Sequence, residues 1–210
     1  PEQAAQQSYN FIEDYEISFM IVFIVLVTLL ILYIVYENHT RNKELLKYAQ
    51  TDALTGLYNK ETTEQLTDEL LSEDENKSHA FLILDVDCFK QINDIYGHAV
   101  GDIVLQKFGK LLKGTFREGD ILGRIGGDEF GVIMKNIQTK DIAMKKAGEL
   151  LAKTQAYKID ELKGNNISIS IGISTAPQDG DCYMDLYKRA DQALYQAKRS
   201  GKARVCNYFS

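Results

Sequence analysis

Apolar residues fall along this chain in three patterns: one long unbroken run, short runs bounded by charge, and stripes at helical spacing. The long run is ISFMIVFIVLVTLLILYIVY at 17–36, 20 residues without a charge, bracketed by Glu16 and Glu37. At about 1.5 Å per residue it reaches roughly 30 Å, the thickness of a bilayer core. It lacks the polar stripe of a buried soluble helix and the basic upstream flank of a signal peptide. A transmembrane helix is therefore expected over 17–36. Residues 1–16 carry four acids and no Lys or Arg, whereas Arg41, Lys43 and Lys47 follow the run. The positive-inside rule then makes 1–16 an extracytoplasmic tail and puts the rest in the cytoplasm, anchored by a single pass in the inner membrane. The lipid bilayer becomes an expected partner of 17–36. Pro1 in place of Met implies a fragment or processed product that lacks part of an outward-facing sensor region. Residues 37–50 are polar, without Gly or Pro, and read as a helical signalling linker whose apolar repeat is too short to define a coiled coil.

Beyond residue 50 the patterns alternate. Residues 60–71 are helical in pattern and end in the charged loop SEDENKS. AFLIL, 80–84, is a continuous apolar run stopped by Asp85, which suits a central buried strand. Val104, Leu105, Phe108, Leu111 and Leu112 recur at helical spacing over 99–113. DILGRI and EFGVIMK flank Gly126 and Gly127 and read as a hairpin. A helix is expected over 139–157. ISISIGIS, 167–174, alternates like a half-buried strand. Another helix fits 183–199, and ARVCNYF closes as a strand. The order αβααββαβα with a last β predicts an α/β (α+β) domain over 51–210: a central mixed sheet with helices packed on one side.

Composition narrows the chemistry. The 210 residues allow one ordinary domain plus something short. A net charge of −6 argues against nucleic acid as a partner, because phosphate neutralisation dominates that affinity. Cys88, Cys182 and Cys206 form no C-x-x-C pair, so neither a disulfide scaffold nor a zinc ribbon is expected, and the thiols read as free.

The acids carry the candidate chemistry. Asp85 ends the AFLIL strand, and Asp87 follows two residues later. Carboxylates at strand ends sit at the rim of a sheet, where ligands bind. Gly126 and Gly127 permit a tight turn before Asp128 and Glu129, whose mutual repulsion a divalent cation would offset. If the hairpin lies beside strand 80–85, Asp85 and Asp128 meet at one site. Each feature also has a bland reading, since a D-x-D or a pair of acids on a turn is commonly just solvated. Asp87 reads more simply as a residue that shapes its loop, and Asp52 as an anchor of the domain's entry.

Taken together these residues resemble the GGDEF family, the diguanylate cyclases. The name is the string Gly126 to Phe130, and three further stretches match in order: DALTGLYN at 52–59, LDVDCFKQINDIYGHAVGD at 84–102, and SIGIS at 170–174 followed by YKRADQALYQAKRSGK at 187–202. Four ordered signatures across 51–206 are far more specific than one pentapeptide. The resemblance implies a palm-like nucleotide-cyclase sheet with the GGDEF hairpin. It implies GTP as substrate, cyclic di-GMP as product, and a homodimer in which two domains, each holding one GTP, face each other. Two Mg2+ per active site, with Mn2+ able to substitute, are implied as cofactors on Asp85, Asp128, Glu129 and the Val86 carbonyl. Asp128 and Glu129 are the implied catalytic residues, Glu129 as a ligand or as the group that deprotonates the 3′-hydroxyl. Asn93 and Asp102 are implied to read guanine, while Lys90, Lys198, Lys202 and the backbone of Cys88 and Phe89 take phosphate. Asp128 replaces the Glu of other members, and Ala53 a frequent Pro; neither change disturbs the chemistry. The R-x-x-D from Arg117 to Asp120, five residues before Gly126, matches the family's inhibitory product site in offset, although E-G-D is also plain turn chemistry. The competing reading is a catalytically silent member that binds GTP or cyclic di-GMP; such members usually lose the acids and lysines kept here.

Overall fold

The apolar run at 80–84 becomes β1, His79–Val86, and all eight of its positions are buried. A strand buried throughout must have layers on both faces. Before it lies α1, Lys60–Glu73. After it come α2, Phe89–Tyr96, and α3, His98–Lys113. The hairpin strands are β2, Ile121–Arg124, and β3, Glu129–Met134. Then follow α4, Lys140–Ala156, a short 3-10 turn Asp160–Leu162, and β4, Ile169–Ala176. Helix α5, Tyr183–Arg199, and β5, Val205–Asn207, complete the fold. This computed structural model describes residues 19–20, 23–39, 41, 49–73 and 77–208.

The strands form one five-stranded sheet in the order β2-β3-β1-β4-β5. The first three pairings are antiparallel and β4–β5 is parallel, so the sheet is mixed as expected. The helices, however, cover both faces rather than one. Ala80, Leu82, Leu84 and Val86 pack with Phe108 and Leu112 of α3 and Ala147 and Leu150 of α4. Phe81 and Ile83 point the other way, onto Leu70 and Leu71 of α1 and Tyr183, Leu186, Ala190 and Leu194 of α5. The period-two alternation of β1 thus feeds two separate cores.

The expectation of a half-buried β4 is also corrected: all eight of its positions are buried. Ser170 and Ser174 look outward-facing in sequence, but their hydroxyls donate to Asp87 Oδ1 at 2.7 Å and to the Leu186 carbonyl at 2.8 Å. A hydrogen-bonded hydroxyl is cheap to bury. Between them Gly172 faces α5, where a Cβ would collide with the backbone of Ala190 and Leu194. The absence of a side chain at this one position lets the helix lie directly on the strand.

The chain divides into two units, Pro1–Ala49 and Gln50–Ser210, and the sheet and its helices belong to the second. In the first, residues 23–39 are helical and exposed. Among the described residues no helix is long and apolar enough to cross a membrane. That finding contradicts the expected inner-membrane location, and it leaves the expected single-pass span at 17–36 and its bilayer partner without support. Within 17–36, residues 17, 18, 21 and 22 lie outside the described residues, as do the expected tail 1–16 and positions 40 and 42–48 of the linker.

Candidate active site

Strands β1 and β3 end together at one rim of the sheet. Their register sets Asp85 opposite Glu129, and the Val86 N–H donates to the Asp128 carbonyl at 3.2 Å. The turn at 125–128 closes where the N–H groups of Ile125 and Gly126 donate to the Glu129 carbonyl at 3.0 and 3.2 Å. Adjacent strand ends thereby bring Asp85, Asp128 and Glu129 into one small region.

Asp85 is only 7% exposed, and its Oδ2 accepts a charged hydrogen bond from Lys198 Nζ of α5 at 2.7 Å. Burial pushes the Asp85 carboxyl above its ordinary range; Lys198 pulls it back, while the charges of Asp128 and Asp87 push it further up. Glu129 is raised too, first by burial and then by Asp85, with Lys198 opposing. Asp85 and Glu129 both feel the Lys198 ammonium and both feel the charge of Asp128, so negative charge gathers at a partly buried place. Hard oxygen donors carrying excess negative charge are the donor set a divalent cation fits. The Lys198 ammonium, seated on Asp85, stands where such positive charge is needed. Lys198, expected on phosphate, is here the partner of a carboxylate.

The phosphate candidates lie at the same end of β1. Cys88 adopts the left-handed conformation, φ 58°, and turns the chain into α2, which opens with Phe89. Lys202 Nζ reaches Cys88 Sγ at 3.1 Å. That contact, with the charges of Asp87 and Asp85, holds the Lys202 ammonium above its usual range. Lys90 is exposed on the first turn of α2. Asn93, on the same helix, sets its carboxamide so close to Gly101 that no Cβ fits there. It therefore lies against the residue preceding Asp102, which is exposed on α3.

The R-x-x-D segment is a turn. The Asp120 N–H donates to the Arg117 carbonyl at 3.0 Å. The Asp120 carboxylate accepts the backbone N–H groups of Arg117 and Lys135, both at 3.1 Å. Asp120 is thus engaged by backbone, while the Arg117 side chain is exposed.

Two residues gained importance only in three dimensions. Arg124, at the end of β2, donates Nη2 and Nε to the Gly127 carbonyl at 2.7 and 3.1 Å. Its Nη1 donates to both oxygens of Asp52, at 3.1 and 3.3 Å. Asp52 also accepts from Thr55 N–H and Oγ1. Burial acts to raise the Asp52 carboxyl, but the bonds from Thr55 and Arg124 hold it below its ordinary range. The guanidinium thus ties the domain's entry, 51–59, to the Gly-Gly turn. A lone cation just before an acidic turn was the available sequence signal. The second residue is Asp87, expected only to shape its own loop and found as a buried acceptor for the distant Ser168, Ser170 and the Ala203 N–H.

A mixed sheet whose neighbouring strand ends converge in carboxylates, under a lysine from the last helix, defines an α/β domain that concentrates negative charge at one rim. The family described as diguanylate cyclase, GGDEF domain, matches residues 49–204. Diguanylate cyclase A of Treponema denticola is 37% identical over 171 residues, covering 78% of this chain and 46% of its own length. The GGDEF domain of TpbB from Pseudomonas aeruginosa is similar in structure at a TM-score of 0.72, with 33% identity over 76% of this chain and 94% of that one. The GGDEF domain of DgcB from Caulobacter crescentus, solved in complex with cyclic di-GMP, gives 0.71 with 27% identity, over 77% and 94%. The chain belongs to the GGDEF family of diguanylate cyclases. It spans about half the length, or less, of the curated relatives it matches.

Proposed function

We propose that residues 51–210 form a diguanylate cyclase domain that condenses two GTP into cyclic di-GMP and two pyrophosphates. The observation that carries this reading is the convergence of Asp85, Asp128 and Glu129 beside Lys198, in a member of the GGDEF family. In each half-reaction a 3′-oxygen bonds to the α-phosphorus of the opposite GTP and pyrophosphate leaves. Each domain holds one GTP, so the working unit is a homodimer. Members of the family generally use divalent metal ions. Here Mg2+, with Mn2+ as substitute and two ions per site, would be held by Asp85, Asp128, Glu129 and the Val86 carbonyl. When bound it supplies positive charge for the triphosphate and for the forming alkoxide.

The chain's own residues do the rest. Glu129, opposite Asp85 in the strand register, serves either as one of those metal ligands or as the acceptor of the 3′-hydroxyl proton. Asp102 accepts the N–H donors of guanine, and Asn93 supplies the amide that serves its acceptors. Lys202, Lys90 and the N–H groups of Cys88 and Phe89 bind the phosphates, and Lys198 shifts between Asp85 and phosphate oxygens. Arg117 and Asp120 form a second, inhibitory subsite for cyclic di-GMP, where the exposed guanidinium offers a planar fork. In the test, the full chain is incubated with GTP and Mg2+ and the nucleotides are identified by mass spectrometry. Cyclic di-GMP is expected, and none after EDTA; GTP left intact while still bound would sink the enzyme reading in favour of a silent receptor.

Arg124→Ala frees the Gly127 carbonyl and unties the turn that presents Asp128. A small misplacement of reacting groups costs about 100-fold in rate. A fall in kcat of that size is expected, with a stability loss of only about 1–2 kcal/mol from the lost hydrogen bonds. Arg124→Lys should recover little, because an ammonium cannot serve Asp52 and Gly127 together. Steady-state kinetics and thermal melts check this; unchanged kcat would remove Arg124 from the hairpin's positioning.

A further inference from the structure

Asp87 is 6% exposed, next to the candidate cation site, yet both its oxygens are engaged by protein. Oδ1 accepts from Ser170 Oγ at 2.7 Å; Oδ2 accepts from Ser168 Oγ at 2.8 Å and from the Ala203 N–H at 3.1 Å. Its own N–H donates to the Ser168 carbonyl at 2.9 Å. One buried carboxylate therefore joins three distant segments: the end of β1, the start of β4 and the turn after α5. That turn is unusual. Gly201, Lys202 and Ala203 all have positive φ, at 111°, 61° and 47°. Residues with a Cβ adopt this conformation only when something holds them there. The Asp87–Ala203 bond is a direct hold, helped by the Lys202 N–H on the Ala197 carbonyl at 3.1 Å. The turn delivers Lys202 Nζ to within 3.1 Å of Cys88 Sγ, beside the residue that anchors it.

From this geometry we infer that Asp87 is a positioning residue, which fixes the 201–203 turn and so sets the Lys202 ammonium at the phosphate end of the site. Asp87 does so through the Ala203 N–H and through its negative charge, which reaches the ammonium. Its three neutral donors leave it poorly placed to serve as a cation ligand as well. The inference rests on the proposed phosphate role of Lys202.

The test is a double-mutant cycle on the full chain, with Asp87→Asn, Lys202→Ala and the pair. The probe is 3′-deoxy-GTP with Mg2+, which lacks the attacking hydroxyl and so reports binding alone, by calorimetry. Each single variant is expected to weaken binding about tenfold, the loss of one charged contact. The pair should be no weaker than Lys202→Ala alone. A loss by destabilisation of the fold would not depend on Lys202 and would add. If Asp87→Asn does not fold, Ser168→Ala serves instead, with a two- to threefold loss that disappears in the Lys202→Ala background. Weakened binding in Lys202→Ala together with unchanged binding in Asp87→Asn, or additive losses, would overturn the positioning role alone. Unchanged binding in Lys202→Ala would overturn it together with the phosphate assignment.

Discussion

Asp85→Asn is expected to cut cyclic di-GMP formation by about 10³-fold or more, while the thermal midpoint stays level or rises. The substitution preserves shape and removes one charge. Transition-state charge stabilisation by a single fixed group is worth about 10²–10³ in rate, and losing Asp85 also weakens the hold on the cation itself. The stability side follows from the direction of its pKa. Burial, then Asp128 and Asp87, push Asp85 up against the pull of Lys198. A carboxyl raised above its unfolded value binds its proton more tightly when folded, so its ionised form at neutral pH works against folding. A neutral amide removes that cost. Lys198 keeps 35% of its side chain exposed, so its ammonium can hydrate instead of standing as an unpaired buried charge. Product formation by mass spectrometry with GTP and Mg2+, and a melt of the metal-free protein in EDTA, check the two halves. A large fall in melting temperature would recast Asp85 as a structural partner of Lys198; retained turnover would remove it from the cation site. Sites that give up stability for function commonly show this opposition.

What the sequence discloses about this domain, and what it hides, divides along physical lines. Element order is legible because amphipathic spacing is local: the stripe Val104, Leu105, Phe108, Leu112 marks α3 without reference to anything else. The approach of the hairpin acids to Asp85 is legible once the hairpin lies beside β1, although the sequence names Asp128 as the residue that meets Asp85 and the antiparallel register sets Glu129 opposite it. Layering was misjudged because Ser170 and Ser174 look like a solvent face. Their acceptors, Asp87 and the Leu186 carbonyl, come from other elements, and no hydropathy pattern contains them. The same holds for Arg124, whose partners are a backbone carbonyl and a residue 72 positions away. The apolar run at 17–36 shows the opposite error: unbroken apolar composition predicts a spanning helix, whereas among the described residues no helix is long and apolar enough to cross a membrane. The family match through 49–204 adds what spacing alone could not, that the acidic rim belongs to a nucleotide-cyclising family.

The second large effect concerns packing. Gly172→Val is expected to destabilise the domain by about 3 kcal/mol or more, as insertion of side-chain atoms into a filled core does. Gly172 pairs with Ile83 of β1 on one side and Cys206 of β5 on the other, so the strand cannot move aside. Above it, the atoms a Cβ would meet are the Ala190 carbonyl and the Leu194 backbone. These are main-chain atoms of a helix, with no flexible side chain to swing away. The contact is close because Ala190, Ala193 and Ala197, all fully buried, keep α5 slim along this face. The remaining response is for α5 to lift as a body. For a domain of this size such a loss lowers the melting temperature by about 6–12 °C. The lift also reaches the chemistry, because the same helix carries Lys198 to Asp85 and leads into the turn that places Lys202. Activity measured well below the new midpoint should therefore fall more than the folded fraction does. A melt within 2 °C of the parent would show that β4 and α5 are not in close backbone contact at Gly172.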